Sequence, residues 1–379
     1  MAFAGGKYRL LLDARGLAGG KSGVGRYITR LAAGIAAMQP DDIAVKMLCL
    51  AGDTPPGNIP VQVLGSFYSG ATTNTIKQHL VMPPRLVKLR EGIYHYPCLD
   101  LPLNRSPHVV VTCHDIEPLV TPEFFSRKIV LYYRVFARRL RSARNIIAIS
   151  QKTADDLVGI IGIDERRIRT IHLGVDEYFQ PVSEKHRLRE MRRAYSLPED
   201  YLLYVGNTMP HKNLERLVLA FSRIHADFPE ASFAIAGAPD AYRHNVNRVV
   251  RENGLGDKVR FLGRIPEEDL PSLYSGCRLF TFPSLYEGFG LPVLEAMACG
   301  APVLASTAGS LPEVVGDAGI LVDPYDVDAI SDAISRVLSD SSLAKRLSEA
   351  GIRQAAGFTW ENCARSHLSL YRQILKKEI

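Results

Sequence analysis

Two glutamates, Glu287 and Glu295, stand eight positions apart in the stretch FPSLYEGFGLPVLEAMACGAPVLAS, Phe282 to Ser306. LFTFPS reads as a strand, LYEGFG as a loop, and LPVLEAMAC as a short helix with Pro292 in its first turn and Gly300 as its stop. The free N–H groups at a helix start carry the positive end of the dipole and suit a phosphate. Gly288 and Gly290 let that backbone come close to a ligand. Glu295, one turn into the helix, is placed to accept two hydrogen bonds from a diol such as a ribose. Glu287, ahead of the helix, would face whatever lies beyond the phosphates. The same residues also fit a solvated Glu287 and a Glu295 that merely interacts with the helix dipole.

A second glycine-rich passage, SGVGRY (Ser22–Tyr27), connects a strand to a helix. A dinucleotide fold would require G-x-G-x-x-G there and an acid ending the second strand. The third position is Ile28, and the strand around Met47–Leu50 ends without an acid, which disfavours NAD. D-V-D (Asp326–Asp328) has the D-x-D spacing of some metal-dependent enzymes. It precedes the helical pattern AISDAISRVL, so it reads as a helix N-cap with first-turn acids. By the same logic Ser150 and Thr153 read as an N-cap and first turn, and Asp115 as the cap of the turn after it.

These residues need a scaffold, and the chain supplies alternating short apolar runs and longer amphipathic stretches, the pattern of parallel sheets covered by helices. Strands are expected at Arg9–Asp13, Val45–Leu50, Gly92–Tyr96, Val109–Thr112 and Asn145–Ile149, with helices at Gly25–Met38 and Lys128–Arg141. The segment Gly174–Asp200 reads as a linker. A second series follows at Tyr201–Val205, Ser232–Ala236, Val259–Leu262, Leu279–Phe282, Pro302–Ala305 and Gly319–Val322. The expectation is an α/β chain of two doubly wound, parallel-sheet domains facing across a cleft, with ligands at the carboxyl ends of the strands.

With 379 residues, 46% hydrophobic and 23% charged, the chain can build two cores. A net charge of +6 is too weak to imply nucleic acid. Six scattered cysteines without a CxxC pair argue against a zinc site or a disulfide framework. MAFAGGKYRLLLDARG lacks the core of a secretory signal, and no apolar run approaches the ~18 residues that span a bilayer. A cytoplasmic location is expected, with any membrane attachment peripheral and on the inner face.

The Glu287–Glu295 passage strongly resembles the signature of retaining glycosyltransferases of the GT-B fold, family 4. EAMACGAPVLAS and GSLPEVVGDAGILVDPYD follow in that family's order. LLYVGNTMPHKNLERLVLAF (Leu202–Phe221), FAIAGAPD, VRFLGRIPEEDLPSLYSGCRLF, DARGLAGGKSGVGRYITRL, VVVTCHDIEP and GFTWENCA resemble further family motifs along nearly the whole chain. The resemblance implies an N-terminal acceptor domain (1–178), a C-terminal nucleotide-sugar domain (179–359) and a terminal helix (360–379) crossing back to the first domain. It also assigns roles, with Glu295 on the ribose, Glu287 at the sugar, and the backbone of Gly288, Phe289, Gly290 and Leu291 on the diphosphate. Lys212 grips the same phosphates as a point charge. His114 orients the sugar, and Gly23, Gly25 and Arg26 face donor and acceptor. His114, Glu287 and Lys212 are the catalytic candidates. One departure is Asn207, where the family often carries a phosphate-binding Arg, with His211 as a partial substitute.

The resemblance further implies same-face transfer. No carboxylate pair has a metal-site setting, so catalysis without a metal or other cofactor is expected, the positive helix end and Lys212 neutralising the leaving diphosphate. GVGRYITRL, YHYPCLDLPL and TCHDIEP look most like bacterial mannosyltransferases of surface polysaccharides, which implies GDP-mannose as donor and a glycan or lipid-linked glycan as acceptor. Two other classes fit the architecture: a nucleotide-sugar epimerase, and a non-catalytic nucleotide-sugar-binding subunit. The segment Ser126–Arg144 holds seven basic residues and no acid. It reads as a solvated helix face, or as a surface presenting Ile129, Leu131, Tyr132, Val135 and Phe136 beside Arg127 to Arg144 for an anionic membrane.

Overall fold

The structure, a computed structural model, describes residues 8–14, 23–50, 59–64, 92–98 and 108–376. The glycine-rich loop before Gly23 and the end of YHYPCLDLPL lie outside the described residues. The chain forms two compact units, residues 1–174 with 359–379 and residues 175–358.

The first unit is built on β1 (Tyr8–Asp13), α1 (Gly23–Met38), β2 (Ile43–Leu50), β3 (Val61–Leu64), β4 (Gly92–Tyr96), β5 (Val109–Cys113), α2 (Arg127–Leu140), β6 (Asn145–Ala148), α3 (Gln151–Asp156) and β7 (Ile168–Thr170). Its seven strands are all parallel, in the order β3-β2-β1-β4-β5-β6-β7. Every residue of GIYHY in β4 and of VVVTC in β5 is buried, as a strand covered on both faces requires. Strands β3 and β7 are absent from the sequence-based expectation; β7, IRT, is a short edge strand with no fully buried residue.

The second unit contains α4 (Lys185–Ala194), β8 (Tyr201–Val205), α5 (Leu214–Ile224), β9 (Ser232–Ala236), α6 (Arg243–Glu252), β10 (Val259–Gly263), α7 (Leu270–Gly276), β11 (Leu279–Phe282), α8 (Leu291–Ala298), β12 (Val303–Ser306), α9 (Leu311–Val315), β13 (Ile320–Val322), α10 (Val327–Ser339) and α11 (Ser341–Ala355). Its strands run parallel in the order β10-β9-β8-β11-β12-β13. The charged stretch read as a linker is instead largely part of this unit, with α4 packed on α7. Asp326 caps α10, its Oδ1 accepting from Ala329 N at 2.9 Å.

After Phe358 the chain returns to the first unit as α12 (Trp360–Lys376), which lies along α1. The helices approach closely: a Cβ on Gly34 would stand 2.8 Å from Ala364 Cβ. At its outer end Arg372 forks onto Asp42 with bonds of 2.7 and 2.8 Å, and that guanidinium holds the Asp42 carboxyl below its usual range.

Candidate active site

In the second sheet the strand order reverses between β8 and β11. Loops leaving adjacent strands at such a switch point diverge and open a crevice at the carboxyl edge. Lys212 follows β8, Glu287 follows β11, and the two meet there: Lys212 Nζ lies 2.7 Å from Glu287 Oε1. Both side chains are nearly buried, 14% and 12% exposed, so water screens the pair only weakly.

Three ties set this geometry. Leu285 N donates to His211 O at 2.7 Å, joining the two loops. Asn213, in the left-handed region at φ 62°, donates from Nδ2 to Pro283 O (3.0 Å) and Pro324 O (2.7 Å). The Glu287 carbonyl accepts from Ser310 N and Ser310 Oγ at 3.2 and 3.1 Å. The turn that delivers Ser310 depends on Gly309, whose φ is 61° and whose added Cβ would sit 2.6 Å from Glu287 N.

Gly290, at φ 100°, is the N-cap of α8, with Leu291 the first helical residue. Phe289 is buried edge-on to Phe358. Glu295 is 5% exposed and accepts from the Tyr274 hydroxyl at 3.0 Å. Glu287, 12% exposed and paired with Lys212, is not the solvated carboxylate of the alternative reading.

One sequence expectation is corrected in this loop system. His211 does not replace a missing cation, because it is buried and its imidazole is pushed down to about 3, first by burial and then by the Lys212 charge. Asn207 is exposed and shapes the turn, its Oδ1 accepting from Met209 N (3.3 Å) and its carbonyl from the Tyr204 hydroxyl (2.7 Å). Asp240, which the sequence reading did not single out, holds the same turn by accepting from Thr208 N at 2.5 Å.

The remaining candidates lie in the first unit. Gly23 is exposed with open space around it, Gly25 is buried, and Arg26 is half-buried in the first turn of α1. His114, just past β5, is half-buried with Nε2 2.8 Å from Pro97 O. Burial pushes its imidazole down to about 4, so it is neutral at pH 7. The next residue of α1, Tyr27, sets its ring edge-on to His114 at 5.0 Å, so the start of α1 and the end of β5 converge.

As expected, Asp115 Oδ1 accepts from Glu117 N (3.2 Å) and Ser150 Oγ from Thr153 N (3.0 Å). On α2, Phe136 is core at 6% exposure and Tyr132 is half-buried. The exposed apolar residues are Ile129, Leu131 and Val135, a correction to the wider set read from the sequence. No helix among the described residues is long and apolar enough to cross a membrane.

A family model for glycosyl transferases group 1 matches residues 189–354, and one for Glycosyltransferase Family 4 matches residues 21–178. O-antigen chain mannosyltransferase B of Escherichia coli is 36% identical over 285 residues, 75% of this chain and 74% of that one. The chain is a family 4 glycosyltransferase. The serotype-specific mannosyltransferase WbdA of E. coli is 31% identical over 307 residues, 77% of this glycosyltransferase but 37% of WbdA. Sucrose-phosphate synthase from Thermosynechococcus elongatus superposes with a TM-score of 0.76 over 98% of this chain and 100% of that one at 24% identity. The architecture of this glycosyltransferase is accordingly GT-B.

Proposed function

We propose that this glycosyltransferase moves mannose from GDP-mannose to a glycan or lipid-linked glycan acceptor in surface polysaccharide synthesis, with retention and without a metal. The observation that carries the reading is the Lys212–Glu287 pair at the switch point of the second sheet, ahead of α8. The pair uses Glu287 Oε1 and one ammonium hydrogen, which leaves the other carboxylate oxygen and two ammonium hydrogens for a ligand. The diphosphate would lie on the α8 amides and Lys212, the ribose on Glu295, and the sugar near Glu287 and His114. The mannosyltransferase names of both E. coli relatives support the donor.

In same-face transfer the bond from the anomeric carbon to the diphosphate oxygen breaks. A bond to the acceptor oxygen forms on the same side, and the acceptor hydroxyl proton passes to the leaving diphosphate. The protein's contribution is electrostatic: Lys212 and the helix amides receive the leaving charge, and Glu287 stabilises positive charge on the sugar ring.

The outward face of α2 supports contact with an anionic leaflet. Leu131 (62% exposed) and Val135 (43%) share it with Arg127, Lys128, Arg134 and Arg138, none of which has an ionic partner among the described residues. A groove beside it has an apolar floor that includes Val130 and Ile161 and a rim of Arg134, Arg138 and Arg141.

Incubation with GDP-mannose, UDP-glucose and dTDP- and ADP-linked sugars tests the reading. Transfer from GDP-mannose with the α-configuration kept is expected. Release of free epimerised sugar, or binding without turnover, would overturn it.

A further inference from the structure

We propose that α12 positions His114 through Tyr27, by a one-way chain of buried hydrogen bonds running from Tyr371 to Cys363; its consequence for turnover rests on the placement of His114 at the transferred sugar. Five side chains make the chain, and all are fully buried: Tyr371, His95, Thr112, Tyr27 and His367. They come from four elements, β4, β5, α1 and α12.

The direction of every bond follows from one end. His367 Nδ1 lies 2.8 Å from the Cys363 carbonyl, which can only accept, so Nδ1 carries the hydrogen. Burial keeps the His367 ring neutral, down to about 4, so its Nε2 is an acceptor. The Tyr27 hydroxyl, 2.7 Å away, therefore donates to it. The Tyr27 oxygen then accepts from Thr112 Oγ1 at 2.8 Å. With its hydrogen spent, Thr112 accepts from His95 Nε2 at 2.8 Å. His95, neutral through burial, is left with Nδ1 as acceptor, and Tyr371 donates to it at 2.7 Å. No member has a free choice of partner or tautomer.

Tyr27 is where this chain reaches the site. Its ring stands at 85° to His114, and Thr112, on β5, lies two residues before His114. The other edge of His114 is fixed by Pro97 O, which again can only accept. Nε2 therefore carries the hydrogen, and Nδ1 presents a lone pair suited to a sugar hydroxyl. Losing the acceptor on α12 frees the Tyr27 hydroxyl to turn, and the wall that holds the His114 ring shifts with it. His367 and Tyr27 are positioning residues in this scheme, since His367 touches His114 only through Tyr27.

The test compares Tyr27→Phe, His367→Leu and His367→Gln in the full chain. A Gln oxygen can take the Tyr27 hydroxyl in place of Nε2, whereas Leu fills the space without accepting. For Tyr27→Phe and His367→Leu, kcat is expected to fall about tenfold or more while affinity for free GDP, bound in the other unit, stays unchanged. His367→Gln is expected to recover most of the loss. The side-chain 15N signals of His114 supply a second readout that needs no substrate. They should shift in Tyr27→Phe and His367→Leu and return towards wild type in His367→Gln. Unchanged His114 signals, or equal loss in the Gln and Leu variants, would overturn the positioning. Shifted signals with normal turnover, together with normal turnover in His114→Ala, would instead overturn the placement of His114 at the sugar.

Discussion

Glu295 does two things that a single substitution can separate. Its carboxylate caps the buried Tyr274 hydroxyl and, in the proposed complex, holds the ribose. Glu295→Ala is expected to weaken GDP binding by about 1.5–3 kcal/mol, the worth of a charged hydrogen bond. Calorimetric titration checks it, and wild-type affinity would remove Glu295 from the donor site. Lys212→Ala strands the Glu287 charge in a poorly solvated pocket and removes the cation for the leaving diphosphate. Transfer should be nearly abolished and should not return on adding Mg²⁺, while wild type should keep its rate in excess EDTA. Loss of wild-type activity in EDTA, with recovery on adding Mg²⁺ or Mn²⁺, would refute the metal-free assignment.

At the scale of elements, the loops that carry the site matter more than the strands they leave. Gly309→Ala would place a methyl group 2.6 Å from Glu287 N and force a residue with φ 61° into a strained conformation. A lower melting temperature and a lower kcat with near-normal GDP affinity are expected, since in the proposed complex the displaced group lies beyond the phosphates. The strands were legible because continuous apolar runs such as VVVTC and LFTF admit few other readings. Strand β7 escaped because an edge strand of three residues with an arginine at its centre carries no such signal. The α4 segment looked like a linker because KHRLREMRRA buries only Met191 completely. Among the candidate site residues, Glu287 and Glu295 could be read from one local motif and Lys212 from another. The ties through Asn213, Ser310 and Asp240 join residues far apart in sequence, and no short pattern announces them. His367 and Tyr371 left one trace, a polar i, i+4 pair within the apolar stripe of α12.

For the molecule as a whole, acid is a specific stress. In the first unit His95 and His367 are buried and His114 is half-buried, and each binds a proton less readily folded than unfolded. The unfolded chain takes up those protons near pH 6.5, whereas folded His114 and His367 resist until about 4. Their contribution to stability is thus complete above pH 6.5 and is lost as the pH falls towards 4. Thermal melts across that window should show a declining melting temperature, with a shallower decline in His367→Gln. The proposed membrane contact is tested on the whole molecule as well. Arg134→Glu with Arg138→Glu should cut sedimentation with phosphatidylglycerol vesicles at low salt, each basic residue contributing about 1 kcal/mol near such a surface. Unchanged sedimentation would show that α2 is a solvated face only.

The two points at which the chain passes between units lie side by side. A Cβ on Gly174 would fall 2.2 Å from Trp360 N, and Val175 N donates to Phe358 O at 3.0 Å. The second unit is therefore an insertion into the first, and the two are completed in a different order from that in which they begin. On the ribosome, residues 175–358 are all available before α12 emerges. Until then His95 and Tyr27 sit in a core that lacks their α12 partners, Tyr371 and His367. A chain ending at Phe358 should accordingly show a protease-resistant second unit attached to a first unit that is readily cut. The full chain should gain protection in both together, which makes α12 the last piece of the fold that the chain opens with.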